Sequence, residues 1–140
     1  MAKEIDNEMM FINAWVKLVH PTAKNYPRMR VGALPNGDVY QGVTRVFPDK
    51  ILIENGTVLL IEGKLVPDSR AVGQLELYAR EFPLTPEFEF AKDMPVRMIL
   101  LTTLENKTIR EFAESKGMEY VIFKPPEVDR ILRQRLRIEE

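Results

Sequence analysis

The feature that most constrains this chain is Asn55-Gly56, set between two apolar runs, Ile51-Leu52-Ile53 and Val58-Leu59-Leu60-Ile61. Asn-Gly between such runs is the strongest short-range signal for a two-residue hairpin. That turn pairs Glu54 with Thr57, and counting outward places Asp49 opposite Glu62. Opposed residues of an antiparallel pair share a face, with Cβ atoms about 4.5–5.5 Å apart. Lys64 is two residues further on and points the same way. Two carboxylates and one ammonium therefore meet at the end of an apolar ribbon. Like charges placed opposite each other destabilise a sheet, and a divalent cation is the natural compensation.

The 140 residues suit one domain with a substantial core. With 45% hydrophobic and 29% charged residues, the chain reads as globular rather than disordered. No apolar run approaches the roughly 20 residues of a membrane span. The polar start, Met1-Ala2-Lys3-Glu4-Ile5-Asp6, shows no secretory signal, so a cytoplasmic location is expected. The absence of cysteine excludes disulfides, thiolate metal sites and a cysteine nucleophile. The one histidine, His20, argues against a His-rich zinc site. A net charge of −1 argues against a protein that coats nucleic acid by bulk charge. Two local basic patches remain: Lys24, Arg28 and Arg30 near Tyr26, and Arg130, Arg133, Arg135 and Arg137.

Ile5, Met9, Ile12, Val16 and Val19 recur at helical spacing, with Trp15 beside the stripe, so Lys3 to Val19 reads as an amphipathic helix. His20-Pro21 ends it. Residues 21–37 read as a loop with a short strand at Met29 to Ala33, and Asp38 to Phe47 as a strand. The hairpin strands follow at about 50–54 and 57–65. Val58 to Ile61 is apolar on both faces, which predicts a central strand in a mixed sheet between helices. Asp68 or Ser69 caps a helix over about Arg70 to Glu81. A Pro-rich connection over 83–95 leads to a buried strand at Val96 to Thr102. Asn106 to Lys116 is a helix closed by Gly117. Met118 to Phe123 is a last strand, and Glu127 to Arg137 a terminal helix. Met9, Met10, Trp15, Phe112 and Phe123 are taken as core.

Magnesium or manganese prefers carboxylate oxygens, waters and substrate phosphates. Asp49 and Glu62 supply two carboxylates on one face, and the Gly63 carbonyl offers a third hard oxygen. A cation there would bind a phosphodiester and acidify a water. Lys64 would orient or deprotonate that water, or steady the charged phosphorus. The bland alternative is a structural Asp-Glu-Lys cluster at a sheet edge. The apolar setting favours a use for Glu62-x-Lys64.

Pro48-Asp49 followed by Glu62-Gly63-Lys64 resembles the signature of the PD-(D/E)xK nuclease superfamily, which includes restriction endonucleases, Holliday-junction resolvases and RecB-type exonucleases. The family core is a helix, a three-strand meander, a helix and a further strand, in the order read here from about residue 3 to 102. Gln74-Leu75-Glu76-Leu77-Tyr78 is similar to the Gln-x-x-x-Tyr motif of the RecB-like branch. Spacing of four puts Gln74 and Tyr78 on one helical face. The resemblance implies that Gln74 positions nucleophile or substrate and that Tyr78 contacts the nucleic-acid backbone. It also implies that Glu8, on the first helix, joins the outer shell of the metal; a solvated carboxylate is the competing reading. Members of that branch often carry a metal-binding histidine, but the usual Gly-x-x-x-His context is absent at His20. A histidine meeting last-turn carbonyls competes with a ligand role there.

Tyr26, Arg28 and Arg30 suit phosphate gripping or base stacking, and Arg70 suits phosphate contact. Solvated loop and surface pairing are their plainer readings. The expectation is a single α/β domain over 1–140 with a mixed sheet flanked by helices, like the restriction-endonuclease fold. Its core covers about 3–102, and a helix-strand-helix extension covers about 103–140. The expected function is a magnesium- or manganese-dependent nuclease acting on DNA in preference to RNA, of the kind that suits a virus or mobile element. A homodimer or partner protein is compatible with its size. A Holliday-junction or branched-DNA resolvase, a non-catalytic nucleic-acid-binding or assembly module on the same fold, and an unrelated interaction protein stay open as alternatives.

Overall fold

The hairpin forms as its turn requires. Asn55 and Gly56 both take positive φ, 52° and 74°, the conformation of a tight type I′ turn, whose twist matches that of the flanking strands. An added Cβ at Gly56 would meet nothing within 4 Å, so its φ is what favours glycine there.

The computed structural model describes residues 2–27, 29–33 and 46–136. Helix α1 (Ala2–Val19) leads to strand β1 (Lys24–Pro27), then β2 (Lys50–Glu54) and β3 (Thr57–Lys64). Helix α2 (Ser69–Glu81) follows, then two short 3₁₀ turns (Phe82–Leu84 and Pro86–Ala91). Strand β4 (Val96–Thr102), helix α3 (Lys107–Ser115), strand β5 (Glu119–Ile122) and helix α4 (Pro126–Arg135) complete the order. The five strands form one mixed sheet in the order β1-β2-β3-β4-β5. β1, β2 and β3 are antiparallel, whereas β3, β4 and β5 are parallel.

Helices cover both faces, so this is an α/β sandwich with β3 at its centre. Strand alternation divides the core in two. Leu52, Leu59, Ile61, Ile99 and Leu101 pack with Phe11, Ile12, Trp15 and Val16 of α1 and Val128 of α4. Ile51, Val58, Leu60 and Leu100 pack on the other side with Val72, Leu75 and Tyr78 of α2. Burying each such side chain contributes roughly 1.5–3 kcal/mol. The even-numbered residues of β3 thus face α2, and that is the face to which Glu62 and Lys64 belong.

Several sequence expectations shift. The buried face of α1 is Phe11, Ile12, Trp15 and Val16, while Met10 and Val19 are exposed. The two aromatic rings, with the largest area to bury, decide how the helix is rotated. That rotation puts Glu8, three and four residues before Phe11 and Ile12, on the sheet side. Phe112 is also exposed, because α3 presents its small Ala113 and Ile109 to the core instead. The first strand is Lys24–Pro27 rather than Met29 to Ala33, where one bridge joins Val31 to Val46. The strand expected over Asp38 to Phe47 lies mostly outside the described residues. The Pro-rich connection holds the two 3₁₀ turns, which bury Phe82 and Phe88.

Candidate active site

Continuing the register one step past Lys50 and Ile61 brings Asp49 and Glu62 together at the open end of the hairpin. Asp49 Oδ2 accepts the Gly63 N–H at 3.0 Å, which fixes this carboxylate although it stands outside the regular strand. Gly63 faces α1, where a Cβ would fall 2.6 Å from Ile12 Cδ1 and closer still to Cγ1. The glycine therefore lets α1 sit directly over the strand that carries Glu62 and Lys64.

Glu62 is 3% exposed. Burial, and then the neighbouring Asp49 charge, pushes its carboxyl up to about 8. The Lys64 ammonium, a hydrogen bond from the Tyr78 side chain and one from the Asp49 backbone pull the other way and only partly offset the rise. Its Oε1 atom is buried and has no hydrogen-bond partner among the described residues. Buried polar oxygens are nearly always paired, so each exception calls for an explanation.

Helix α2 delivers the other half of the site. Asp68 caps it by accepting the Ala71 N–H at 3.0 Å. Ala71, Val72, Leu75 and Tyr78 are its buried residues, and this anchoring aims Tyr78, with Gln74 one turn earlier, at the end of β3. From α1, Glu8 Oε2 accepts the Leu65 N–H at 3.2 Å. The result is a cavity of about 220 Å³ whose polar lining is Glu8, Asp49, Glu62, Lys64, Gln74 and Tyr78. Met9, Ile12 and Phe47 form its apolar wall. Among the described residues no three His, Asp or Glu side chains gather closely enough to hold a metal ion by themselves. Asp49 and Glu62 form a pair, and Glu8 lines the same cavity while accepting the backbone N–H of Leu65, just past β3.

The residues expected to meet nucleic acid are dispersed. The Arg30 guanidinium lies 5.1 Å over the ring of Phe47, at the cavity wall. Arg70 is exposed at the start of α2, 3.8 Å from Asp68. Tyr26 is half-buried, edge-on to Phe88 at 5.2 Å, and belongs to the core on that side. Arg28 lies outside the described residues. His20 is at the far end of the ribbon, where its Nδ1 meets Glu54 Oε1 at 2.7 Å and its ring sits edge-on to Trp15. Five strand steps, roughly 16 Å, separate Glu54 from the level of Asp49. Phe47 and Met9 were missed as site residues in the sequence. The proximity of Phe47 to Pro48-Asp49 was the signal available.

No helix among the described residues is long and apolar enough to cross a membrane. No family model matches the chain, and no curated protein matches it. Among solved structures it is similar to a protein of unknown function, AF1548, with a TM-score of 0.54 at 8% identity. That match covers 81% of this chain and 56% of the other. It is also similar to a repair endonuclease from Pyrococcus abyssi, with a TM-score of 0.49 at 19% identity, over 90% of this chain and 48% of that one. The chain thus spans about half the length of the solved proteins it matches, and the likeness to the first is one of fold.

Proposed function

We propose that this chain is a divalent-metal-dependent nuclease that hydrolyses phosphodiester bonds in DNA. One observation carries the reading: Asp49, Glu62, Lys64, Gln74 and Tyr78 line a single cavity, in which Glu62 Oε1 is buried without a partner among the described residues. An unsatisfied buried acceptor costs about 1–3 kcal/mol. Beside a second carboxylate, that cost and the charge repulsion are both relieved by a hard cation. The donor set is all oxygen, which fits magnesium or manganese. Asp49 and Glu62 would hold the ion, with the Gly63 carbonyl completing the protein oxygens and Glu8 in the outer shell. Such an ion supplies Lewis-acid chemistry, neutralising charge that develops on a phosphodiester and making water more acidic.

The chain's own residues have separate tasks in this reading. Lys64 shares the face of Glu62, and its ammonium orients the attacking water and stabilises charge on the phosphate oxygens. Tyr78 steadies Glu62 by its hydrogen bond and presents its hydroxyl to the nucleic-acid backbone. Gln74, exposed at the cavity, positions substrate or nucleophile with its amide. Arg30 and Arg70 are exposed cations suited to flanking phosphates.

The test is cleavage of plasmid, linear and single-stranded DNA with magnesium or manganese, against EDTA, by wild type and Lys64→Ala side by side. Metal-dependent cutting that disappears in the variant supports the reading, and the ranking of substrates sorts endonuclease from exonuclease. No cutting by folded, metal-saturated protein overturns it in favour of a binding module on the same fold.

A further inference from the structure

The opposite face of the sheet carries a second, larger cavity of about 850 Å³, between the end of α1 and strands β1 and β2. Its polar lining is Asn13, Lys17, His20, Asn25 and Lys50, and Val16 and Ala23 contribute apolar wall. Lys50 follows Asp49, so strand alternation sends its side chain to this face. The residue is only 3% exposed. Lysine is almost never so buried unless it is paired. Its ammonium is not sealed in the core among unpartnered buried atoms but belongs to the lining of this cavity. The Glu54 carboxylate, four residues along the same strand, is engaged by His20 at 2.7 Å and by Thr22 at 3.5 Å.

We propose that this cavity is a binding site for a small organic anion whose phosphate or carboxylate group seats against Lys50. The lining has two ammonium groups and no carboxylate, so its field favours negative charge. Asn13 and Asn25 supply amide donors beside the charged group. Val16 and Ala23 accept an apolar part of the molecule. The volume lies within the range of small-molecule sites. A nucleic-acid strand is tracked by cations displayed on the surface, whereas Lys50 is recessed. This site stands whether or not the other face cleaves DNA.

The experiment is titration of the metal-free protein, in EDTA, with inorganic phosphate, citrate and thymidine 5′-monophosphate. It is followed by ¹H–¹⁵N NMR at the Asn13 and Asn25 side-chain amides and by thermal melting. The expected result is binding by at least one probe, shifting both amides and raising the melting temperature. Lys50→Met should weaken it roughly tenfold or more, the size of a lost charge-assisted hydrogen bond. Lys64→Ala should leave it unchanged, which separates this cavity from the other face. Lys50→Met is expected to fold, because replacing a buried charge by an apolar chain of similar length is neutral or stabilising. Comparing phosphate with citrate identifies the preferred head group. Three results would overturn the proposal: no response to any probe, binding that survives Lys50→Met, or binding lost in Lys64→Ala. Loss of oligonucleotide binding in Lys50→Met without any small-anion binding would also overturn it, and would make this face a nucleic-acid surface.

Discussion

Asp49 Oδ2 accepts the Gly63 N–H, so the backbone that follows Glu62 holds in place the carboxylate that opposes it. Two acids that repel each other are thereby locked side by side, one by a backbone bond and the other by burial. That arrangement is unfavourable alone and favourable around a cation, and it makes the site open to direct tests.

Replacing Asp49 by Asn, Glu62 by Gln or Lys64 by Ala should each lower cleavage by about 100-fold or more, because each removes a charge from the proposed reacting centre. Folding should be intact in all three. Circular dichroism and single-turnover cleavage check the two halves of this statement, and a variant that still cuts at the wild-type rate removes that residue from the mechanism.

The pH dependence of metal-free stability follows from Glu62. Its carboxyl titrates at about 8 when folded, against an ordinary value of 4.5. The native state therefore keeps a proton that the unfolded chain has lost. The stabilising contribution of the protonated form is complete below about pH 4.5 and is lost as pH rises through about 8. Calorimetry in EDTA should show the melting temperature falling across that window, and Glu62→Gln should flatten the fall. Magnesium should raise the melting temperature more near pH 8 than near pH 5, where protons compete for the carboxylate. A fall of the same size in Glu62→Gln would assign the slope to other groups.

Gly63→Ala should destabilise the protein by about 1–3 kcal/mol, the usual cost of overpacking, since its methyl would collide with the Ile12 side chain. Trimming Ile12 to Ala in the same molecule should recover part of that loss. Urea denaturation of the two single variants and the double variant measures the coupling.

His20→Ala should cost about 1–3 kcal/mol, from the lost Glu54 bond and the Trp15 contact, while metal-dependent cleavage per folded molecule stays at the wild-type level. A specific loss of cleavage would instead tie the turn end of the ribbon to the chemistry.

The fold was legible wherever a local signal coincided with burial. Val96 to Thr102, bounded by Pro95 and apolar over Met98 to Leu101, forms β4 with those limits. Asp68 and Asn106 are side-chain caps that announce α2 and α3. The meeting of Asp49, Glu62 and Lys64 followed from counting outward from the turn. What was not legible depended on partners distant in sequence. Tyr26-Pro27 reads as loop because proline cannot donate to a ladder, and it becomes strand only by pairing with Ile51 and Lys50. The rotation of α1 could not be read from its stripe either, since Phe11 is buried by stacking on Phe123, more than a hundred residues away. The recessed position of Lys50 was equally hidden, because a lysine beside Asp49 looks like an ordinary surface charge.

The Asn55-Gly56 turn acts as a ruler for the proposed chemistry roughly 16 Å away. Because it contains two residues and no more, Asp49 and not Lys50 lies level with Glu62. One residue added or removed there would slip the strands by a step, and a one-step slip turns every side chain to the other face. A slip one way would bring Lys50 level with Glu62 and a slip the other way Pro48, and either would take the second carboxylate out of the proposed cation site. The spelling of a turn far from the two carboxylates thus decides whether this sheet can present the proposed cation site at all.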